Sequence, residues 1–298
     1  MSEQLREYEN SIFTPAFIIQ ILKDNNLALR KHFGQNLLIN RDLARRILEY
    51  SELHITDRVL EIGPGLGTMT FLLAERVSQV VAVEVDRGFA QYLSRIIEEL
   101  GQHNIHLIQK NFLSMECEEL PLQSRPNKVI SNFPYNVAIK ALISIAESFE
   151  TVEMIVGTVQ RELADRVSAL PGSKEYSAVS VFLQYLMDVK VMEKRILPQS
   201  FFPIPEVDSA VILLSRRKDH KGRDYLLFKQ IVRAAFSHRR QRLVKNLKSL
   251  DLSLTSVELE RIVEDLFGNP SVRAEAVSVE GFICLCEALW RAGVRSSS

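Results

Sequence analysis

Cysteine is scarce in this chain: Cys117, Cys284 and Cys286 are the only three, an odd number without the paired CxxC spacing of a zinc or redox centre. A disulfide-stapled secreted domain is therefore not expected, and the reduced thiols of a cytoplasmic protein are the simplest reading. Long apolar runs are also lacking. The richest, such as residues 17–22, fall far short of the roughly 20 residues that cross a bilayer. The opening Met-Ser-Glu-Gln-Leu-Arg-Glu has no apolar stretch behind a basic cap, so neither secretion nor membrane insertion is expected. Net charge is absent as well, with 37 Lys and Arg against 37 Asp and Glu, so any nucleic-acid surface has to be local. No internal repeat or low-complexity tract occurs. What remains is an ordinary globular composition, 298 residues and 46% hydrophobic, enough for one large or two unequal domains.

Three zones follow one another. Residues 1 to about 50 carry helical patterns, with Pro15 opening one helix and residues 42–50 forming another around the loop at 31–36. From Arg58, short β-branched runs at 58–63, 80–86, 105–110, 128–132 and 152–158 alternate with amphipathic stretches, the rhythm of βαβ units on a parallel sheet. Runs at 186–192 and 207–215 have no clear long helix between them and can close the sheet as an antiparallel pair. Residues 218–224 read as a polar linker. Beyond it, 225–250, 256–267 and 278–292 read as helices. The expected fold is α/β and Rossmann-like over 1–217, with a small all-helical domain over 218–298.

The run at 58–62 feeds Gly63-Pro64-Gly65-Leu66-Gly67 and then a helix, where backbone can approach a ligand at a strand's carboxyl end. Glu84 ends the next strand, and a carboxylate there can accept both hydroxyl hydrogens of a ribose. The spacing is GxGxG rather than GxGxxG, and Glu61 can reach a cationic group. Both features favour S-adenosylmethionine over NAD. A simple tight turn, a dinucleotide site and a solvated Glu84 stay open.

After the fourth run comes Ser131-Asn132-Phe133-Pro134-Tyr135-Asn136. An exocyclic adenine amine is a weak nucleophile because its lone pair is delocalised, so acceptors aimed at its hydrogens favour the pyramidal nitrogen that takes a methyl group. The Asn132 side-chain carbonyl and the Pro134 backbone carbonyl suit that task, and the Tyr135 ring offers a stacking surface. The sulfonium is already a good leaving group, so positioning accounts for most of the catalysis, with no general base or metal required. The alternative is a strand-terminating turn.

These residues resemble the KsgA/Dim1 family of ribosomal RNA adenine N6,N6-dimethyltransferases. The resemblance rests on residues 31–38 (Lys31-His32-Phe33-Gly34-Gln35-Asn36-Leu37-Leu38), 61–67, 84–86, the Asn132 motif, 160–166, 171–176, 201–211, and Ala235-Phe236 with Arg239-Arg240. It implies that Asn36 and Leu38 bring the amino-terminal segment over the cofactor. Gly63 would lie against its amino-acid part, with Gly65 in the same loop, Glu84 on its ribose and Asn111 beside its adenine. Residues 132–135 would hold the target base, with Phe201 as a second aromatic wall. It also implies the activity: two adjacent adenosines near the 3′ end of small-subunit (16S) rRNA, each methylated twice in an immature 30S-type particle during ribosome biogenesis.

Departures from the family pattern are Asn111 for Asp, Leu37 for Phe, Phe133 for Leu, Ser177 for Gly and Glu206 for Lys. The first turns a charge-assisted hydrogen bond to adenine into a neutral one. Between Arg216 and Lys248, twelve Lys and Arg face only Asp219 and Asp224. Arg239, Arg240, Arg242 and Lys245 are accordingly the expected rRNA contacts, against the alternative of a solvated helix face. His32 could join that surface, whereas His54, His103, His106 and His220 lack ligand spacing, and no metal is expected. Three other functions compete: an Erm-type large-subunit rRNA methyltransferase, disfavoured by 160–166, 171–176 and 235–240; a ribosome-assembly factor with reduced catalysis, disfavoured by the intact Asn132, Pro134 and Tyr135; and an NAD-linked oxidoreductase, disfavoured because no motif places an acid-base residue for hydride chemistry. A monomer suffices for all of them.

Overall fold

The computed structural model describes residues 3–30, 33–218, 224–250 and 254–296. The chain opens with α1 (Glu3–Ser11), α2 (Pro15–Asp24), the short β1 (Leu37–Leu38) and α3 (Arg41–Tyr50). Pro15 sits in the first turn of α2, where its missing N–H costs nothing. Asn40 starts α3 by accepting the Leu43 N–H at 2.9 Å. Strands and helices then alternate: β2 (Arg58–Ile62), α4 (Thr70–Ala74), β3 (Gln79–Glu84), α5 (Arg87–Glu99), β4 (Ile105–Gln109), β5 (Lys128–Asn132), α6 (Ala138–Ser148) and β6 (Met154–Gln160). Next come α7 (Arg161–Val167), α8 (Ala178–Leu186), β7 (Met187–Ile196), β8 (Phe201–Phe202) and β9 (Ser209–Arg216). The remaining helices are α9 (Tyr225–Ala235), α10 (Leu243–Leu247), α11 (Ser256–Phe267) and α12 (Val279–Arg291).

The seven-stranded sheet has the order β4-β3-β2-β5-β6-β9-β7. Strands β2 to β6 pair in parallel, and β9 runs antiparallel to β6. Continuous apolar runs make this possible: Val59, Leu60, Val80 and Ala82 are fully buried, as strands covered on both faces require. The fifth run of the sequence reading starts two residues late, because the Val152 N–H closes a turn onto the Phe149 carbonyl before β6 begins. The strand order reverses between β2 and β5, and the carboxyl ends on either side of such a reversal form the ligand crevice of open α/β sheets. A second ribbon, β1 against β8, pairs Leu38 with Phe201 and Leu37 with Phe202.

The chain forms two compact units, Met1–Ala164 with Val189–Arg216 and Asp165–Asp188 with Arg217–Ser298. The boundary expected near 217 is one of the crossings, but residues 165–188, expected in the sheet domain, cluster with the helices. Tyr176 explains this: it is fully buried in the helical core and its hydroxyl donates to the Val277 carbonyl at 2.9 Å. Tyr185 stacks on Phe228 with ring centroids 4.2 Å apart.

The helix expected over 225–250 is broken. It ends at Ala235 and resumes at Leu243. Asn246, buried, holds the break closed by donating to the Ala235 carbonyl at 2.6 Å and the His238 carbonyl at 3.0 Å. Linker residues 219–223 and His220 among them lie outside the described residues, as do residues 251–253 and His32. Cys284 is exposed and Cys286 buried, as two residues on opposite sides of α12 should be. Replacing Asn246 with Ala removes the side-chain donor to the buried Ala235 carbonyl, while the His238 carbonyl keeps the Gln241 N–H at 2.9 Å; the change is expected to cost about 1–2 kcal/mol, read as a lower melting temperature of the purified protein.

Candidate active site

Strand β2 delivers the chain into 63–67 at the reversal of the sheet. Gly63 has φ +70°, and a Cβ there would lie 2.7 Å from the Pro134 ring, so only glycine lets the loop close on the Asn132 motif. Gly34 does the same from the other side. At φ +66°, its missing Cβ would meet the Tyr135 and Asn136 amides at 2.9 Å. The loop is tied from behind by Tyr8 of α1, whose hydroxyl donates to the Leu66 carbonyl at 2.8 Å.

These segments enclose a cavity of about 170 Å³. All eight residues expected at a cofactor line it: Asn36, Leu38, Glu61, Gly63, Gly65, Glu84, Asn111 and Asn132. Pro134 joins them. Sequence reasoning missed Met69, Val85, Phe112 and Leu113 on the same wall, although each follows a strand's carboxyl end or the glycine turn, which was a usable signal.

Two carboxylates dominate the cavity's electrostatics. Glu84 is 3% exposed and is held by backbone, its oxygens accepting the Gly65 N–H at 3.1 Å and the Asp86 N–H at 2.8 Å. Burial raises its pKa and those N–H groups oppose the rise. Glu61 is fully buried, and burial pushes its pKa up to about 8, with the nearby Glu84 charge adding to the shift. Its Oε2 has no hydrogen-bond partner. An unpartnered carboxyl oxygen facing a cavity is what an arriving cation satisfies, and a glycine backbone with no Cβ in the way is what a close ligand needs. The residues thus fit the amino-acid end and ribose of S-adenosylmethionine. Asn111 caps a short turn, its Oδ1 accepting the Leu113 N–H at 3.1 Å, which leaves one lone pair for an adenine amine.

The Asn132 carboxamide is pinned at both ends. Its Nδ2 donates to the Asn36 carbonyl at 2.6 Å, and its Oδ1 accepts the hydroxyl of buried Thr158. The Pro134 carbonyl, expected to accept a target hydrogen, instead accepts the Val137 and Ala138 N–H groups at 3.1 Å each and starts α6. Both its lone pairs are used, so the side-chain acceptor the motif still offers is the second lone pair of Asn132 Oδ1.

Next to this cavity lies a second, of about 420 Å³, sharing Gly34, Gln35 and Asn36 with it and lined further by Tyr135, Gln160, Pro203 and Glu206. The Tyr135 ring is held in place by its hydroxyl's 2.6 Å contact with Ser209 Oγ. Phe201, expected as a second aromatic wall, lines neither cavity. The β1–β8 register sets it opposite Leu38, and both are buried in the core. Glu206 lines the second cavity. Ser177 precedes α8, where its N–H donates to Ser180 Oγ at 3.0 Å.

The basic segment is less uniform than its composition. Arg216 caps the end of α6, donating to the Val152, Ala146 and Phe149 carbonyls. Arg217 donates to the Gln184 carbonyl at 3.0 Å. Arg239 pairs with Glu275 at 2.9 Å and bonds the Ser173 carbonyl, so it braces residues 171–176. Arg240, Arg242 and Lys245 are exposed. Among the described residues no cluster of His, Cys, Asp or Glu could hold a metal ion, and no helix is long and apolar enough to cross a membrane.

A glycine turn and ribose-ready carboxylate at the reversal of a parallel sheet, with an Asn-x-Pro-Tyr turn on the same rim, define a Rossmann-like methyltransferase. The family model "Ribosomal RNA adenine dimethylase" matches residues 26–264, and the chain belongs to that family. A Treponema denticola protein named Ribosomal RNA small subunit methyltransferase A is 33% identical over 280 residues, covering 92% of this chain and 94% of its own. The crystal structure of a dimethyladenosine transferase from Plasmodium falciparum shares the fold at TM-score 0.76 and 18% identity, over 88% of this chain and all of that one. The 23S rRNA methyltransferase ErmE matches at TM-score 0.65 and 25% identity, over 85% of this chain and 99% of its own.

Because the folded-state pKa of Glu61 lies above its unfolded value, the folded protein holds a proton that the unfolded chain releases. Its stability contribution is full below about pH 4.5 and is lost as pH rises through about 8. The neutral Glu61→Gln variant, without cofactor, is expected to match the wild type at about pH 4 and to be more stable by a few kcal/mol at pH 9. A pH series of melting curves checks this.

Proposed function

We propose that this chain transfers methyl groups from S-adenosylmethionine to N6 of two adjacent adenosines near the 3′ end of small-subunit rRNA, in an immature 30S-type particle in the cytoplasm. The observation that carries the reading is the Asn132 carboxamide, clamped beside the boundary of two adjoining cavities, with a free lone pair on its oxygen. The family and the full-length similarity to a small-subunit methyltransferase support it over the large-subunit rival.

S-adenosylmethionine, when bound, supplies an electrophilic methyl group on a sulfonium. The chain's own part is placement. Glu61 would neutralise the cofactor's ammonium group, the 63–65 backbone would face its amino-acid end, and Glu84 would accept from the ribose hydroxyls. Asn36 and Leu38 would cover it, and Asn111 would meet its adenine. In the second cavity the Tyr135 ring stacks on the target base. Asn132 Oδ1 accepts a hydrogen of the target amine, drawing the nitrogen lone pair out of conjugation and toward the methyl group; as the N–C bond forms the S–C bond breaks to leave a neutral thioether, and the methylated ammonium loses a proton to water. One acceptor suffices for the second transfer too, since a monomethylated amine keeps a single hydrogen. The sheet unit is the catalytic part, and the helical unit is the rRNA-binding part of a monomeric enzyme.

Labelled methyl transfer to undermethylated small subunits, large subunits and free rRNA, followed by nucleoside analysis, tests the function. Dimethyladenosine should appear with small subunits alone, and label on large-subunit RNA would overturn the assignment. Replacing Arg240, Arg242 and Lys245 together with Ala should lower the slope of log affinity against log salt by about 2, because each lost phosphate contact removes roughly 0.7–0.9. Arg239→Ala should act mainly on stability, since its guanidinium is engaged with Glu275.

A further inference from the structure

Asn132 and Thr158 are register partners on the parallel strands β5 and β6, so their side chains leave the sheet on the same face. Thr158 has no exposed surface, and its hydroxyl donates to Asn132 Oδ1. Its backbone is fixed on both sides: the Phe133 N–H donates to its carbonyl at 3.1 Å, and Val211 of β9 is its antiparallel partner. The preceding residue is glycine, and a Cβ at 157 would lie 2.0 Å from the Ser131 carbonyl oxygen. The two strands therefore approach closely just where the hydroxyl has to reach the carboxamide.

We infer that Thr158 is a positioning residue for methyl transfer, acting through Asn132. An amide held only by the Asn36 carbonyl can still pivot about its Cβ–Cγ bond. The hydroxyl removes that freedom by occupying one lone pair of Oδ1 and directing the other to the target amine. With both lone pairs of the Pro134 carbonyl engaged, the orientation of the Asn132 acceptor bears directly on the step. Orientation acts on turnover rather than on binding, since cofactor and RNA gain most of their affinity elsewhere. The inference rests on the reading of Asn132 as the acceptor for the target amine.

The test is single-turnover methyl transfer to undermethylated small subunits by the wild type and by Asn132→Ala, Thr158→Val, Thr158→Ser and Asn132→Ala with Thr158→Val, with cofactor affinity measured by calorimetry. Asn132→Ala is expected to lose on the order of 100-fold or more in rate with cofactor affinity nearly intact. Thr158→Val should lose on the order of 10-fold in rate, with cofactor and RNA affinities within about twofold, and Thr158→Ser should recover most of the loss. In the Asn132→Ala background Thr158→Val should change nothing further, the signature of a residue acting through its neighbour. Wild-type rate in Thr158→Val while Asn132→Ala is impaired overturns the inference alone. An equal loss in both backgrounds, or a loss of cofactor affinity in Thr158→Val, also overturns it by marking a general structural role. Wild-type rate in Asn132→Ala overturns the underlying reading of the site.

Discussion

The reversal of strand order between β2 and β5 is the constraint on which the rest depends. Parallel pairing sends β2, β3 and β5 out on the same rim, so the glycine turn, Glu84 and Asn132 converge without any one loop having to reach far. Ser131 locks this meeting point, its hydroxyl donating to the Ile62 carbonyl at 2.7 Å. The β1–β8 ribbon then brings residues 34–38 and 201–207 over the same edge. A rigid sheet thus supplies the precision, and short loops supply the chemistry.

Charge and hydrogen bonding divide the work between the two cavities. The first holds two buried carboxyls whose pKa values burial drives upward, one satisfied by backbone N–H groups and the other left with an orphaned oxygen. That is a poised, unsatisfied site, destabilising in isolation and relieved by a cationic ligand. The second is neutral apart from Glu206 and works through ring and amide groups. Methyl transfer from a sulfonium needs this combination: a place for the cofactor's charge, and an uncharged acceptor for the amine.

Much of this was legible in the sequence because the signals are local. Gly63, Gly65, Glu84 and the Asn132 motif each announce themselves by residue type and by position after a strand, and all of them meet in the structure. What was hidden depends on pairing across long separations. Thr158 reads as one more β-branched strand residue until the β5–β6 register sets it against Asn132. The Pro134 carbonyl reads as free until α6 begins on it, and Phe201 reads as a wall until β8 pairs with β1. Counting charges likewise could not show that Arg216 and Arg217 are engaged on neighbouring carbonyls, or that residues 165–188 join the helical unit.

The most direct measurement is a crystal structure of the protein with S-adenosylhomocysteine and adenosine monophosphate. The account predicts ribose hydroxyls within hydrogen-bond distance of the Glu84 carboxylate, and the second adenine's amine on Asn132 Oδ1 with its ring against Tyr135. A cofactor ribose away from Glu84, or an Asn132 carboxamide whose oxygen faces away from the bound base, would contradict it.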